Sequence, residues 1–524
     1  MFEGQPKGLF ALALANTGER FGYYTMIAVF ALFLRANFGL DAGWAGEIYS
    51  DFLMLVYFLP IVGGWMADKF GFGRMVTIGI LIMFVGYLLL SVPLGGDTVG
   101  LVAMLAALVL IALGTGLFKG NLQVMVGNLY EDAQYAAKRD SGFSIFYMAI
   151  NIGALFAPTA AIKIMEWSQA NLGVSVNDSY HFAFAVACAS LILSIAIYYV
   201  FRKTFRHTEG RPIKQQPAPT PPKEGETQVN EEGKSLPHSG ETEGASDRER
   251  IVALCLVYAV VIFFWMAFHQ NGLSLTYFAD EFTAKSSEGI ESMAFDVWNL
   301  VAIIFMVYAA FSLFQSKTTK GRGISAAILL AGLGFLFWRY TQVNGSIEVS
   351  APIFQQFNPF YVVALTPVSM AIFASLAAKG KEPSAPRKIA YGMLVAAVAF
   401  CLMLAASQGL ATPNEQAALA ATGTTGALVS PQWLIYTYLI LTFGELLLSP
   451  MGISFVSKVA PPKYKGLMMG GWFVATAIGN KLVAVSGYLW GDLPLWVVWT
   501  VFIVLCLLSA AFMFIMMKRL EKVA

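Results

Sequence analysis

The sequence predicts an all-α polytopic membrane protein. Three observations carry this: sparse charge, repeated apolar runs of membrane-crossing length, and basic residues confined to alternate loops. Of 524 residues, 57% are hydrophobic and 13% charged, against about 25% charged in a soluble domain. So little charge cannot cover a water-facing surface, and most of the exterior must face lipid. Apolar runs fall at about 8–36, 44–67, 73–95, 98–128, 141–167, 180–202, 250–280, 294–316, 323–342, 357–378, 388–408, 431–456, 464–489 and 493–517. Each matches the roughly 20 residues with which a helix crosses about 30 Å of hydrocarbon. Backbone groups in lipid must be satisfied within the segment, so these spans are helices rather than strands. The expectation is about fourteen transmembrane helices.

The loops check the count. Lys69, Arg74, Lys138, Arg139, Arg202, Lys203, Lys320, Arg322, Lys379, Lys381, Lys458, Lys463, Lys518 and Arg519 all fall on one side of the alternation. The opposite loops hold Arg35, Lys163, Lys285 and Arg339, each close to a helix end. The positive-inside rule places both termini in the cytoplasm of a cell-membrane protein. Deleting one span would invert every later loop, so the total is even. The first span outruns a signal-peptide core and carries Glu19 and Arg20, and is expected to stay in the mature chain.

Residues 203–249 differ in kind, rich in Pro, Glu, Gly and Lys with almost no large apolar side chains. They cannot bury enough surface to offset the entropy of ordering, and read as a cytoplasmic, largely disordered linker. The chain divides into an N-terminal six-helix bundle (1–202), the linker, and a C-terminal bundle (250–524) of about eight helices. Six plus six with an additional pair suits a transporter whose substrate site lies between two repeats, by fold analogy.

Several classes are excluded. A net charge of +2 does not suggest a nucleic-acid partner. Cys188, Cys255, Cys401 and Cys506 all sit in apolar runs and read as buried hydrophobes, with no metal-ligand spacing. No phosphate-binding glycine loop, zinc motif or nucleophile elbow is present, so neither an ATP-driven pump nor an enzyme is expected, nor any cofactor.

The informative residues are ionisable groups inside the spans: Glu19 and Arg20 in the first, Lys119 in the fourth, His269 in the seventh and Glu445 in the twelfth. A charge at the bilayer centre costs about 2.5–3.5 kcal/mol on the lenient scale, so each needs a partner or a task. Glu19 and Arg20 are adjacent and point about 100° apart on a helix. They are therefore not expected to neutralise each other; Lys119 is the expected partner of Glu19, leaving Arg20 for an anion. Cations in one half and an acid in the other suit a zwitterionic ligand and a carrier that exchanges protons. Glu47 and Asp51, i and i+4 near the outer end of the second span, read as solvated entrance residues. Trp65, Trp167, Trp433, Trp490 and Trp496 near span ends read as interfacial anchors. Gly63–Trp65 and Gly114–Gly116 read as close-packing surfaces.

A set of motifs makes a resemblance specific. GGWMADKFGFGR (Gly63 to Arg74) is similar to the major facilitator motif after the second helix. FSIFYMAINIGALFAP (Phe143 to Pro158) is similar to the fifth-helix signature of the proton-dependent oligopeptide transporter (POT) family. ERFGYY from Glu19, LVYFLP from Leu55, GLFKGN from Gly116, FNPF from Phe357, GELLLSPMG around Glu445 and GGWF around Trp472 continue the match in order. The resemblance implies a major facilitator fold of two six-helix bundles and locates an inserted helix pair at about 294–342, on the periphery facing lipid. It further implies a central pocket. Arg20 and Lys119 would attract a peptide carboxylate, and Glu445 with Asn151 and Asn358 would hold the amino terminus. Tyr23, Tyr24, Tyr57, Trp265 and Trp472 would line side-chain pockets, and Asp68 with Arg74 would clamp the cytoplasmic gate.

The sequence departs from the family where the proton is concerned. The motif's first acid is Asn16, the later first-helix arginine is Ile27, and the seventh-helix acid is His269. The second-helix histidine of animal relatives is Ser50. In relatives that arginine and that acid form an outer-gate salt bridge; here both are gone together, which avoids one unpaired buried charge. The proton-coupling candidates are Glu19, His269 and Glu445, with Glu19 as principal carrier through its expected pairing with Lys119. The resulting expectation is a monomeric, proton-coupled symporter of di- and tripeptides. A POT-like carrier of nitrate or another metabolite, and a non-transporting peptide sensor, stay open at this point.

Overall fold

The computed structural model describes residues 4–136, 138–210, 246–316, 318–343 and 345–523. Fourteen helices in them are long and apolar enough to cross a membrane: α1 Lys7–Phe38, α2 Ala42–Phe70, α3 Phe72–Leu90, α4 Thr98–Asn128, α5 Ser141–Leu172, α6 Val176–Val200, α7 Asp247–Glu281, α8 Val297–Gln315, α9 Thr319–Thr341, α10 Ala351–Ala378, α11 Ala385–Ala406, α12 Gln432–Val456, α13 Gly466–Leu489 and α14 Leu495–Val523. Their number and order are those read from the apolar runs. Large apolar side chains such as Phe314, Leu330 and Ile515 lie on the outside, as a lipid-facing surface requires. Cys188 and Cys506 are buried, but Cys255 and Cys401 belong to that outer surface, where an apolar thiol needs no burial.

Small residues set the helix contacts. A side chain at Gly63 would run into the Gly116 carbonyl, and one at Gly79 would meet the Gly114 carbonyl at 2.7 Å. Both glycine motifs are therefore packing surfaces, joining α2 and α3 to α4. Asn121 reinforces the first, donating from Nδ2 to the Gly63 carbonyl at 3.1 Å.

Two helices are broken where the halves meet, which apolar periodicity does not reveal. In α7 the α-helix gives way to a 3-10 turn at His269–Gly272 before Ser274–Glu281 resumes. In α13 the α-helix ends at Lys481 and resumes at Ala484. Gln270 stitches the breaks together: its Nε2 donates to the Val483 carbonyl at 3.2 Å, and its Oε1 accepts from Ser274 at 2.7 Å and Ser486 at 2.6 Å. The side-chain amide thus satisfies backbone that helix bonding leaves free.

The segment after α6 corrects the linker boundary. Residues 202–208 form two 3-10 turns, and Glu209 chelates Arg202, accepting at 2.8 and 2.7 Å, and accepts from Tyr198 at 2.8 Å. The Gly73 amide donates to the Glu209 carbonyl at 3.2 Å. The first eight residues assigned to the linker are therefore docked under the α2–α3 turn, because Glu209 finds partners there that composition does not show. At the other end Ser246 and Glu249 form a reciprocal cap on α7, so this helix starts earlier than the apolar run. Linker residues 211–245 lie outside the described residues.

Helices α8 and α9 form a hairpin packed mainly on itself, with α8 also touching α10. The chain leaves and re-enters the bundle through paired strands, β1 Ser286–Glu288 and β2 Ser346–Glu348, antiparallel with Ser287 opposite Ile347. An Arg339–Asp296 ion pair ties the hairpin's ends. Almost all of α9 faces outward.

Candidate functional site

A cavity of about 240 Å³ lies between the halves, walled by α1, α2, α4 and α5 on one side and α7, α10 and α12 on the other. Arg20, Tyr23, Tyr24, Tyr57, Lys119, Asn151, Trp265, His269, Asn358 and Glu445 all line it. Trp472 does not: it is buried in the α12–α13 packing, filling the space beside Gly452, where a side chain would collide with its ring. Glu19 is also absent from the wall, buried behind Arg20 at 1% exposure.

The charge pairing differs from that expected. Arg20 donates from Nε to Glu19 Oε2 and from Nη2 to Oε1, both at 2.5 Å. Adjacent Cβ vectors diverge, yet a long arginine side chain folds back to deliver a two-pronged contact to the neighbouring carboxylate. Both groups are buried, and leaving either unpaired costs about 3–5 kcal/mol. The guanidinium also lies over the Tyr23 ring at 4.6 Å.

Lys119 is consequently left over. It has no carboxylate partner among the described residues, and its ammonium rests on the Tyr57 ring 4.0 Å from the centroid. Across the cavity Glu445 has no cationic partner among the described residues; Asn358 donates to its Oε2 at 3.0 Å and to Thr442 Oγ1 at 3.0 Å. Asn151 spends one donor on the Tyr147 carbonyl at 3.0 Å. Tyr147, Gln123 and Gln355 complete polar parts of the wall; uncharged, and with Gln355 just outside an apolar run, they do not stand out in the sequence.

Bonds between the halves cluster toward the face opposite the termini. Lys481 of α13 binds Asp51 of α2 at 2.5 Å and also pairs with Glu47, whose other oxygen accepts from Tyr488 at 3.0 Å. Arg35 of α1 pairs with Glu281 of α7, and Gln355 donates to the Ala28 carbonyl at 3.2 Å. Gly46 and Gly487 let α2 and α13 approach closely; a side chain at Gly46 would come to 3.4 Å from the Gly487 Cα. Glu47 and Asp51 keep the partial exposure expected of entrance residues, but they are also paired, by a cation 430 positions from Asp51 in sequence. Trp490, read as an interfacial anchor, is buried and donates to Glu281 Oε2 at 2.9 Å. At the opposite end Asp68 and Arg74 are exposed, with no ion pair among the described residues.

The fold and this cavity can be compared with known proteins. A family model described as the POT family matches residues 73–217 and 334–490. The chain belongs to the POT family. It is 30% identical to the uncharacterized transporter YclF of Bacillus subtilis (strain 168), covering 94% of this chain and 90% of that protein. It is 27% identical to a di-/tripeptide transporter of Lactococcus lactis subsp. lactis (strain IL1403), over 92% and 89% of the two chains. A crystal structure of a peptide transporter POT in complex with sulfate superposes with a TM-score of 0.72 at 23% identity, covering 100% of this chain and 96% of that one. A POT family transporter in complex with 5-aminolevulinic acid gives 0.71 at 20% identity, covering 99% and 98%. Within this POT-family chain, the cavity wall includes residues of the ERFGYY, LVYFLP, GLFKGN, FSIFYMAINIGALFAP, FNPF and GELLLSPMG motifs.

Proposed function

We propose that the chain is a proton-coupled symporter that imports di- and tripeptides by alternating access. One observation carries this reading: a single cavity presents a lysine without a carboxylate on one half and a glutamate without a cation on the other. A zwitterion of peptide length meets both needs. Tyrosine and tryptophan walls accept varied side chains without demanding one shape. In this reading Lys119 and Arg20 attract the carboxylate, while Glu445, Asn358 and Asn151 hold the ammonium group. The relatives named as peptide transporters support the substrate class.

The cross-half bonds on the face opposite the termini support an inward-facing state, with both termini in the cytoplasm and the chain in the cell membrane. One chain encloses the cavity, which supports a monomer as the transporting unit. Proton coupling runs through Glu19, with Arg20 rather than Lys119 as the shared partner: protonating Glu19 releases Arg20, which lines the cavity, to the substrate. Each proton entering down 100 mV releases about 2.3 kcal/mol. Uptake of labelled dialanine into proteoliposomes, with and without an inward proton gradient, tests the reading. Gradient-dependent accumulation that N-acetyl-dialanine fails to inhibit is the expected result. No uptake under either condition rejects peptides as the substrate.

A further inference from the structure

The terminal groups of a peptide engage Lys119 and Glu445, and that leaves one polar stretch of the cavity wall without a task. His269 stacks on Trp265 with ring centroids 5.1 Å apart and planes 22° from parallel. It also lies 5.9 Å from the Tyr57 ring, the same ring that carries the Lys119 ammonium. Lys119, Tyr57, His269 and Trp265 therefore form one continuous surface at the cationic end of the cavity. On it, His269 Nδ1 and Trp265 Nε1 are both buried and neither makes a well-aligned hydrogen bond among the described residues, although Asn480 and the Trp265 backbone lie beside the imidazole. An unsatisfied buried polar atom costs about 1–3 kcal/mol, so two shielded ones in residues that line the cavity are unfavourable unless a rearrangement brings them to a ligand.

The donor set defines that ligand. An indole N–H only donates, and an imidazole donates from both nitrogens when it carries a charge. With Lys119 alongside, the wall favours a group that accepts hydrogen bonds and bears negative charge. The Arg20 charge is already met by Glu19, and the one acid on the wall, Glu445, is held by Asn358. We propose that this wall is a side-chain subsite for an acidic residue at the carboxyl-terminal position of a peptide, with His269 and Trp265 as its specificity-determining residues. The position follows from adjacency: the wall shares Tyr57 with Lys119, which takes the terminal carboxylate. In the state described both nitrogens are shielded, and a turn of the imidazole about its broad χ2 torsion presents Nδ1 to the cavity. The inference rests on the peptide reading above.

Competition against labelled dialanine counterflow in proteoliposomes tests it, with Ala-Ala, Ala-Gln, Ala-Glu and Glu-Ala as competitors. Ala-Gln and Ala-Glu are nearly isosteric, so their ratio within one variant isolates the charge. Wild-type protein should prefer Ala-Glu over Ala-Gln about tenfold, the factor one charge-assisted hydrogen bond supplies. The ratio should fall toward one in His269→Gln and invert in His269→Glu. Because each ratio is internal to a variant, a lower amount of folded protein does not alter it. No preference in wild type, or a preference that His269→Gln leaves intact, overturns the subsite. Equal preference for Glu-Ala overturns its placement at the carboxyl-terminal residue. If none of the four competes with wild type, the peptide reading itself falls and takes this inference with it; if all compete equally, only the inference falls.

Discussion

Lys119 gains its importance from what its neighbour does. Had Arg20 stayed free in this state, two unpaired cations would be available for the proposed carboxylate-binding role. Because Arg20 is committed to Glu19 through two contacts of 2.5 Å, Lys119 is the cation on this wall without a counter-charge. Replacing it with alanine removes a charge-assisted contact of about 1.5–3 kcal/mol. Lys119→Ala should therefore weaken dialanine binding at least tenfold and abolish concentrative uptake. Near-normal accumulation at neutral pH would remove Lys119 from the site. Glu19 makes a second test at this scale. Glu19→Gln cannot exchange a proton and leaves Arg20 permanently free, so gradient-driven accumulation should be lost while substrate counterflow persists. A Glu19→Gln variant that still concentrates peptide would exclude it as the proton carrier.

At the scale of elements, the contact between α2 and α13 joins the two halves on the face opposite the termini. Glu47 and Asp51, one helical turn apart, both reach Lys481, and Gly46 and Gly487 bring the two backbones together below them. The arginine and acid that bridge α1 and α7 in the resembling family are Ile27 and His269 here. The α2–α13 cluster and the Arg35–Glu281 pair span the same interface instead. Lys481 and its acids are partly exposed, so the cluster contributes about 1 kcal/mol, or roughly a fivefold change in the balance of facing states. Lys481→Gln should raise labelling of a cavity cysteine, placed at Leu53 in a cysteine-free background, by an impermeant reagent applied from the face opposite the termini. Labelling equal to that of the parent would show that the cluster does not hold this face shut.

For the whole molecule, the two halves need only a connection that spans the distance between their ends. The docked turn at 202–210 narrows which part is expendable. Replacing 212–245 with a brief Gly/Ser segment, keeping Glu209 and the Ser246 cap, should leave uptake largely intact. Extending the cut through Glu209 removes the chelation of Arg202 and should lower thermal stability. A well-inserted 212–245 replacement without transport would point to a regulatory role for the linker.

Much of this is legible in sequence because lipid imposes a simple rule on each segment separately. Any helix that crosses the bilayer must be about 20 apolar residues long. Span number, order and the rarity of Glu19, Arg20, Lys119, His269 and Glu445 follow from local composition, while the place of the inserted helix pair comes from the resemblance to the family. The uncharged cavity residues Tyr23, Tyr24, Tyr57, Asn151, Trp265 and Asn358 are legible only through that same resemblance. What composition does not show is partnership. Lys481 meets Glu47 across 434 positions, Gln270 meets Val483 across 213, and Trp472 turns into packing instead of the cavity. Even the pairing of adjacent Glu19 and Arg20 escapes the sequence, because side-chain reach outweighs the divergence of their Cβ vectors once both are buried. The sequence by itself determined which residues could not face lipid, since that cost attaches to each residue alone. Only the tertiary structure decided which of them neutralise one another and which remain for a substrate, since Coulomb attraction and desolvation depend on distances that packing sets.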